Sequence, residues 1–177
     1  KVFIGKNIVH VAVFKKKDLR TIYNMVYKDG DKGINFIKRF AVSGVTRDKL
    51  YKLSNSKKES YVKYFSANPN GEAEKITINL RSNSKLKKLK WDVDFSDVII
   101  KGRASRGNII TKNTIKNIEL KEKGLSTLKP RKIWFDDTVQ RLNVDDRGDL
   151  LGEFKPDDDL LIVQQSGSLK IVPPDLN

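Results

Sequence analysis

The stretch NPNGEAEKITINL, residues 68–80, places a glycine turn directly before a strictly alternating segment. In Lys75–Leu80, an isoleucine or leucine occupies every second position and polar residues occupy the others. Because successive side chains of a β-strand point to opposite faces, this pattern is typical of a strand with one buried face. Gly71 can adopt a positive φ without a steric penalty, as tight turns require. The stretch therefore predicts a turn followed by a half-buried strand.

The same combination of short alternating segments and glycine or asparagine turns recurs along the chain. Helical spacing is nearly absent, since only Thr46–Leu53 resembles one or two helical turns. We therefore predict an all-β fold. The other predicted strands are Ile8–Phe14, Arg20–Tyr27, Phe36–Val42, Tyr61–Phe65, Asp97–Ile100, Asn108–Thr111, Lys132–Phe135, Leu150–Phe154, Asp159–Val163 and Ser168–Val172. The predicted hairpin turns are Asp29–Gly33, Asn68–Gly71, Ser105–Asn108, Asp145–Gly148 and Gln165–Ser168.

The turn glycines recur at a nearly constant interval. Gly33, Gly71, Gly107 and Gly148 are separated by 38, 36 and 41 residues, and Gly167 belongs to a further turn. Each interval fits about four short strands with their connections, which is the size of one β-propeller blade. The units share only the order strand, glycine turn, strand, so an ordinary β-sandwich is an alternative.

Length and composition limit the class of protein. With 177 residues and 38% hydrophobic residues, the chain is expected to form one domain over residues 1–177. No apolar run approaches the roughly 20 residues that a membrane-spanning helix needs. The absence of cysteine excludes disulfide scaffolds, thiolate-bound zinc, iron–sulfur clusters and cysteine enzymes. Residue 1 is lysine and no leader sequence follows it, so we expect a fragment of a longer protein.

The net charge of +14 is concentrated in the first three quarters of the chain. Residues 1–130 contain 30 basic and 12 acidic residues, whereas residues 131–177 contain 6 basic and 10 acidic residues. An excess of this size favours a polyanionic partner. No basic amphipathic helix suitable for binding a membrane surface is visible, so nucleic acid is the preferred partner. A basic surface that serves only solubility is the alternative.

Three segments carry a resemblance to a known family. They are KGRASRGN at residues 101–108, GDLLGEF with DDDLLIVQQSGSLKIV within residues 148–172, and YFSANPNGEAEKITINL at residues 64–80. The second resembles the repeat unit of the C-terminal domain of the bacterial type IIA topoisomerase A subunit, as found in gyrase and topoisomerase IV. In that unit a strand, an acidic stretch, a strand and a glycine hairpin follow in this order. The resemblance covers nearly the whole chain and is weakest over residues 1–30.

The first segment lies where that family carries its box, which reads Gln, Lys or Arg, Arg, Gly, Gly, Lys or Arg, Gly. Laid over Lys101–Gly107, the box matches at Arg103, Arg106 and Gly107. The pair KG replaces its first two residues, and AS replaces its two adjacent glycines. A degenerate box of this kind is more usual in topoisomerase IV, so the resemblance implies a domain of that type.

The resemblance implies a β-pinwheel, a propeller-like disc or open arc whose rim binds and bends duplex DNA. Family members usually have five or six blades, and this chain has room for about four, so we expect a shortened or open arc. The catalytic tyrosine belongs to the N-terminal part of the parent enzyme, an ATP-dependent type II topoisomerase. The fragment is therefore expected to be non-catalytic and to need no cofactor. The implied partners are duplex DNA, the rest of the A subunit and the ATPase B subunit, in the bacterial cytoplasm at the nucleoid.

Cations placed along a phosphate path would supply such binding, because counterion release gives affinity without base readout. In the box segment, arginines flank small residues, so that the backbone can approach a phosphate while the guanidiniums contact its neighbours. For every lysine cluster the alternative is a solvated loop, and this applies also to Lys15–Lys17. The predicted DNA-binding residues are Lys101, Arg103, Arg106 and Lys112 in a first patch, Lys85, Lys87, Lys88 and Lys90 in a second, and Lys38 and Arg39 in a further cluster.

The other chemically active residues are expected to be structural. His10 lies in a predicted strand, the tyrosines and tryptophans alternate into strand faces, and adjacent aspartates occur in turns. No phosphate-binding glycine loop, nucleophile elbow or metal motif is present. The run Asp157–Asp159 is a candidate modulator that competes with phosphates for the basic residues. Two rival functions are a propeller-like scaffold that binds acidic proteins and, more remotely, an all-β hydrolase that uses paired aspartates.

Overall fold

A computed structural model of the chain describes residues 4–14, 18, 20–83, 86–155 and 158–173. In these residues the protein forms thirteen β-strands and one short 3-10 turn, and it contains no α-helix. The prediction of an all-β fold is therefore confirmed. The chain divides into two compact units, Lys1–Leu125 and Ser126–Asn177. A single domain over residues 1–177 stays a prediction.

The first unit contains eight strands in two sheets, within its described residues. In the first sheet the order is β3-β1-β2-β6, and β7 also pairs with β2. In the second sheet the order is β5-β4-β8. The strands are β1 (Ile22–Lys28), β2 (Asn35–Ala41), β3 (Tyr61–Asn68), β4 (Lys75–Leu80), β5 (Lys90–Asp94), β6 (Ile100–Gly102), β7 (Asn108–Thr111) and β8 (Ile115–Glu122).

Strand β2 is the centre of the first unit. One edge pairs antiparallel with β1 along the whole strand. The other edge is shared, because Arg39–Ala41 pair parallel with β6 and Asn35–Ile37 pair antiparallel with β7. The first six residues of β2 are buried on both faces of the sheet.

The two faces of the first sheet belong to two hydrophobic clusters. On one face, Val26 and Ile37 pack in a cluster with Ile76 and Ile78 of β4 and with Phe95. On the other face, Met25 and Tyr27 of β1 cluster with Phe36 and Phe40 of β2. The strictly alternating β4 contributes its isoleucines to the first cluster, as the sequence pattern predicts.

The five predicted glycine turns all lie between strands, and each turn glycine has a positive φ. Only the first and the last join neighbouring antiparallel strands, so the hairpin prediction is wrong for the other three. Asn68–Gly71 connects β3 of the first sheet to β4 of the second. Ser105–Asn108 lies between β6 and β7, which both pair with β2 rather than with each other. A glycine therefore specifies the turn, whereas tertiary pairing decides which strands meet.

The second unit contains a three-stranded sheet and a separate hairpin in its described residues. Its sheet has the order β10-β9-β11, and the turn Asp145–Gly148 connects the two outer strands. On one face of the hairpin, every side chain of the paired strands is apolar and 64–67% exposed: Leu161, Val163, Leu169 and Ile171. The strands are β9 (Arg131–Asp136), β10 (Arg141–Asn143), β11 (Asp149–Phe154), β12 (Leu160–Val163) and β13 (Leu169–Val172).

Two of the elements predicted from the sequence are absent from the structure of the described residues. Ile8–Phe14 forms no strand, and no described strand pairs with it. In this segment the His10 ring lies 5.4 Å from the Phe65 ring. Thr46–Leu53 forms a turn and irregular structure rather than a helix. The predicted strand Asp97–Ile100 begins only at Ile100, because Phe95–Asp97 form the 3-10 turn.

Three strands were missed, and β8 shows why. Leu80 pairs with Ile115, but Asn79 pairs with Asn117, so Lys116 is an extra residue in β8. This bulge puts two residues, Lys116 and Asn117, instead of one between the isoleucines Ile115 and Ile118 and breaks the alternation. Strands β5 and β10 are short, at five and three residues, and were also missed. None of the sheets formed by the described residues closes on itself, and their arrangement as blades stays a prediction.

Candidate nucleic-acid interface

The box segment forms a loop at the edge of β2, and we call residues 103–107 the box loop. Strand β6 ends beside Ala41, and β7 begins beside Ile37, so the box loop carries the chain back along β2 past Lys38. Gly107 closes it with a φ of +87°, and a Cβ atom there would lie 2.3 Å from the carbonyl oxygen of Ile37. Only glycine fits at this approach to β2, which explains why the box ends in glycine.

Lys38 is buried beneath the box loop, with 1% of its surface exposed. Its ammonium donates hydrogen bonds to the carbonyl oxygens of Leu53 at 2.7 Å, Arg103 at 2.6 Å and Ser105 at 2.8 Å. Burial lowers the pKa of Lys38 to about 8, so the amine is mostly protonated at neutral pH. The prediction that Lys38 binds DNA is wrong, because the ammonium is enclosed by protein carbonyls.

Arg39 points to the opposite face of β2 and is also buried, with 2% exposed. Its guanidinium donates to the carbonyl oxygens of Gly71 at 3.0 Å and Phe95 at 3.3 Å. Its Nε donates to Asn24 at 3.1 Å, and the Asn24 amide donates to the buried carboxylate of Glu74 at 3.0 Å. Arg39 therefore joins the two sheets of the first unit and is unavailable to a phosphate, so this prediction is wrong as well.

Arg103 is half-buried at the outer side of the box loop. Its guanidinium lies 4.1 Å from the centre of the Tyr51 ring and donates to the carbonyl of Gly44. The ammonium of Lys49 lies 5.5 Å from the same ring. The Tyr51 ring therefore contacts two cations. Lys49 belongs to the same loop as Tyr51, which joins β2 to β3, and Arg103 belongs to the box loop.

Arg106 is the second matched arginine of the box and is also half-buried. The hydroxyl of Tyr27 donates to its carbonyl oxygen at 2.7 Å. Its buried Nε has no hydrogen-bond partner among the described residues, and the same holds for the hydroxyl of Ser105. Desolvation is the largest single influence on the pKa of Asp29 and raises it. The hydrogen bonds from Ser56, Lys32 and Asp31 together bring this pKa below its usual value, and the positive charge of Arg106 lowers it further.

Lys101 and Lys112 flank the box loop and are exposed. Lys101 lies in β6 opposite Phe40, and Lys112 follows Thr111, which lies opposite Asn35. Five strand positions separate these two registers, which corresponds to about 17 Å along β2. The predicted first patch is therefore spread along the outer edge of one strand.

A backbone hydrogen bond connects this first patch to the predicted second patch. The amide of Arg81 donates to the carbonyl of Thr114 at 2.9 Å, two residues beyond Lys112. Arg81 begins the loop between β4 and β5, which contains the exposed Lys87 and Lys88 and ends at the exposed Lys90. Lys85, like Lys15–Lys17, lies outside the described residues.

Four exposed cations next to the predicted ones were missed by sequence reasoning. Arg47 and Lys49 lie in the β2–β3 loop, residues 42–60, which contacts Arg103. Lys116 is the bulge residue of β8, and it lines one depression together with Lys90 and Asn79. Counting charges around each cluster would have found Arg81 and Arg47, but only the strand pairing places Lys116 beside Lys90. We call the whole set the basic stripe: Arg47, Lys49, Arg81, Lys87, Lys88, Lys90, Lys101, Arg103, Arg106, Lys112 and Lys116.

The residues expected to be structural are mostly so. Tyr27 is buried, Trp91 packs against the first cluster, and the His10 ring contacts Tyr23 and Phe65. Tyr61 is an exception at 59% exposure. Asp136 accepts hydrogen bonds from the amides of Thr138 and Val139, as a turn aspartate does.

Two features of the described residues concern metal binding and membrane insertion. No group of three or more histidine, cysteine, aspartate or glutamate residues in them could hold a metal ion. No helix in them is long and apolar enough to cross a membrane.

Comparison with known proteins identifies the family. The family described as "Topoisomerase C-terminal domain, Bacteroidota" matches residues 1–123 and 141–177. The chain therefore belongs to the topoisomerase C-terminal domain family. No curated protein and no solved structure shows significant similarity to it. The matched residues include every described member of the basic stripe and the box loop.

Proposed function

We propose that this chain is a non-catalytic module that binds and bends duplex DNA for a bacterial type IIA topoisomerase. The observation that carries the proposal is the continuity of the basic stripe. The predicted second patch joins the first where the amide of Arg81 donates to the carbonyl of Thr114. The first patch in turn reaches the β2–β3 loop where Arg103 stacks on Tyr51. Membership of the topoisomerase C-terminal domain family supports the same function.

The arrangement suits phosphates rather than base edges. The stripe consists of lysines and arginines on loops and strand ends, and it presents no helix that could enter the major groove. The β2 positions opposite Lys101 and opposite Thr111, the neighbour of Lys112, are about 17 Å apart, which is roughly five base pairs of duplex rise. Such a surface neutralises successive phosphates and favours DNA that follows it, so binding and bending occur together.

We propose that the fold is a β-pinwheel, an open arc of about four blades, and the strand exchange within the first unit supports blades that share strands. In the first unit the chain crosses between the two sheets three times, from β3 to β4, from β5 to β6 and from β7 to β8. Each sheet is therefore completed by strands that are distant in sequence, as expected for neighbouring blades that exchange strands.

In the parent enzyme the module captures DNA next to the catalytic core. We propose the topoisomerase IV type of A subunit, because the box is degenerate at four of its seven positions. The rest of the A subunit and the ATPase B subunit are then its protein partners, and the bacterial cytoplasm is its location. Strand cleavage needs the catalytic tyrosine of the parent enzyme, and the module itself uses no cofactor.

The test is the affinity of the protein for a short duplex and for one of roughly 100 base pairs, measured across a salt series. We expect affinity to increase strongly with length and to fall by about three to five decades between about 50 and 200 mM salt, because many counterions are released. Fluorescence anisotropy measures the affinity, and a gel-based assay of DNA curvature measures the bend.

The rival scaffold function gives the opposite result. If both duplexes bind weakly and alike, and an acidic peptide saturates the protein instead, the basic stripe recognises acidic proteins. If the protein hydrolysed a glycoside and lost this activity when one specific aspartate was replaced, it would be the all-β hydrolase.

A further inference from the structure

Lys38 connects the box loop to the β2–β3 loop through a single ammonium group. Two of its hydrogen-bond acceptors, the carbonyls of Arg103 and Ser105, belong to the box loop. The third acceptor, the carbonyl of Leu53, belongs to the β2–β3 loop. An ammonium group has three donors and no acceptor, so its hydrogen-bonding capacity is completely used by these three carbonyls.

The same two loops hold the guanidinium of Arg103. Tyr51, two residues from Leu53, stacks on it at 4.1 Å, and Gly44 accepts its hydrogen bond. Arg103 is thus fixed at both ends, with its carbonyl on Lys38 and its guanidinium on the β2–β3 loop. Because Lys38 binds both loops, it helps to hold Arg103 of the box loop against Tyr51 of the β2–β3 loop, whose ring Lys49 also contacts.

Apart from the three carbonyls, the surroundings of the Lys38 ammonium do not favour a charged residue. Its charge is desolvated, and no carboxylate contacts its ammonium among the described residues. Its neighbours on the same face of β2 are Phe36 and Phe40, and the ammonium lies 4.6 Å from the centre of the Phe40 ring. An apolar side chain would suit that cluster, but it would leave three carbonyls without a donor and the two loops unconnected.

We propose that Lys38 is a positioning residue for DNA binding. Its ammonium locks the box loop against the β2–β3 loop in the arrangement that presents Arg103, Lys49 and Arg106 to phosphates. This inference rests on the proposed DNA-binding function, but it concerns a residue that never touches the DNA.

The absence of cysteine from the chain allows a chemical test at this one position. Lys38→Cys is unfolded in denaturant, alkylated and refolded. Alkylation with 2-bromoethylamine forms a thioether and releases bromide, giving a side chain that ends in an ammonium like that of lysine. Alkylation with 1-iodopropane forms the corresponding thioether and releases iodide, giving an uncharged side chain in which a methyl group takes the place of the ammonium. Circular dichroism checks that both products regain the β-fold.

We expect the uncharged product to bind the long duplex less tightly than the wild type, with a flatter salt dependence, although it contacts no phosphate. We expect the aminoethylated product to regain wild-type affinity and salt dependence. The exposed Lys170, which lies outside the basic stripe, provides the matched control, and both products of Lys170→Cys should bind like the wild type.

A measurement on the wild type covers the case in which the variants fail to refold. The NMR signal of the Lys38 ammonium should stay distinct from those of exposed lysines when duplex DNA is added, because its three hydrogen bonds persist. A collapse of that signal onto the exposed lysines would overturn the proposal.

Two further outcomes separate this role from the proposed function. If the folded, uncharged product binds DNA as tightly as the wild type, Lys38 does not position the loops, while the DNA-binding function stands. If the wild type itself does not bind duplex DNA, both the proposed function and this role are overturned.

Discussion

The guanidinium of Arg103 is held in place by neighbouring groups of the β2–β3 loop. It is stacked on Tyr51 and donates to the carbonyl of Gly44, whereas Arg106 is tied to Tyr27 only through its backbone carbonyl, at 2.7 Å. An arginine fixed before binding loses less rotamer entropy when it meets a phosphate. Arg103 should therefore contribute more to affinity than a freely moving lysine does.

Replacing Arg103 and Arg106 with alanine tests this contribution. We expect binding to weaken to a similar extent on all duplex sequences, and the slope of log affinity against log salt to flatten by about two units. The control replaces Arg141 and Arg147, two exposed arginines outside the stripe, and removes the same charge. Equal losses in both variants would mean that net charge matters and that the box does not.

The lowered pKa of Lys38 should make the free energy of unfolding depend on pH. Burial lowers its pKa to about 8, whereas a lysine in an unfolded chain titrates near ~10.4. Between these values the unfolded chain binds more protons than the native protein, so the contribution of Lys38 to the free energy of unfolding rises with pH.

The comparison of wild type with Lys38→Met isolates this contribution, because the other groups titrate in both proteins. We expect the free energy of unfolding of the wild type, relative to the variant, to increase from about pH 7 to about pH 9.5. Urea denaturation at both values measures it. A difference that stays constant or shrinks would mean that the ammonium is not desolvated in the native protein.

At the scale of elements, the course of the box loop from β6 to β7 depends on one glycine. A Cβ atom at Gly107 would lie 2.3 Å from the Ile37 carbonyl and 2.8 Å from the Lys38 Cβ, at a φ of +87°. Gly33 has a similar φ of +67°, but nothing lies within 4 Å of its Cβ position. The two positions therefore separate backbone strain from a steric clash.

Gly33→Ala should lower the free energy of unfolding by about 1–2 kcal/mol, the strain of a left-handed L-residue. Gly107→Ala should lower it by at least about 2 kcal/mol more, because β2 or the box loop must move. It should also weaken DNA binding, whereas Gly33→Ala should leave it unchanged. Chemical denaturation and anisotropy measure both effects, and equal losses of stability would contradict the close approach to β2.

Sequence reasoning located β4, whose alternation is unbroken, and every predicted glycine turn. It missed β8 because the bulge at Lys116 shifts the phase of the pattern, which only the pairing partner reveals. It assigned Lys38 and Arg39 to the surface because two adjacent cations suggest a solvated strand. Their burial follows from tertiary structure, since one sheet and two loops cover both faces of β2. The box loop itself was found, because arginines beside small residues have a recognisable chemistry.

For the whole molecule, charge follows the division into two units. Residues 1–125 contain 29 basic and 12 acidic residues, a net charge of +17, whereas residues 126–177 contain 7 and 10, a net charge of −3. All of the basic stripe belongs to the first unit. The second unit adds the acidic run Asp157–Asp159, in which Asp158 accepts a hydrogen bond from the amide of Lys155 at 2.8 Å.

Competition between this run and phosphates would appear when Asp157, Asp158 and Asp159 are replaced by asparagine. We expect DNA affinity to increase at low salt and the difference to vanish at high salt, where charges are screened. Replacement of Asp145, Asp146 and Asp149 changes the net charge equally and serves as the control. Unchanged affinity at low salt would rule out the modulating role, and an equal increase in both variants would indicate a general charge effect.

Strand β2 has neighbours on both edges and cover on both faces, and this has a consequence for the dynamics of the interface. Its amide protons are covered on both faces and point to paired strands on both edges, so we expect them to exchange with deuterium more slowly than those of the edge strands of the first unit. The box loop is anchored to this central strand through Lys38 and Gly107. The shape of the proposed phosphate-binding surface should therefore persist until the unit melts, and DNA binding and global unfolding should share one midpoint temperature.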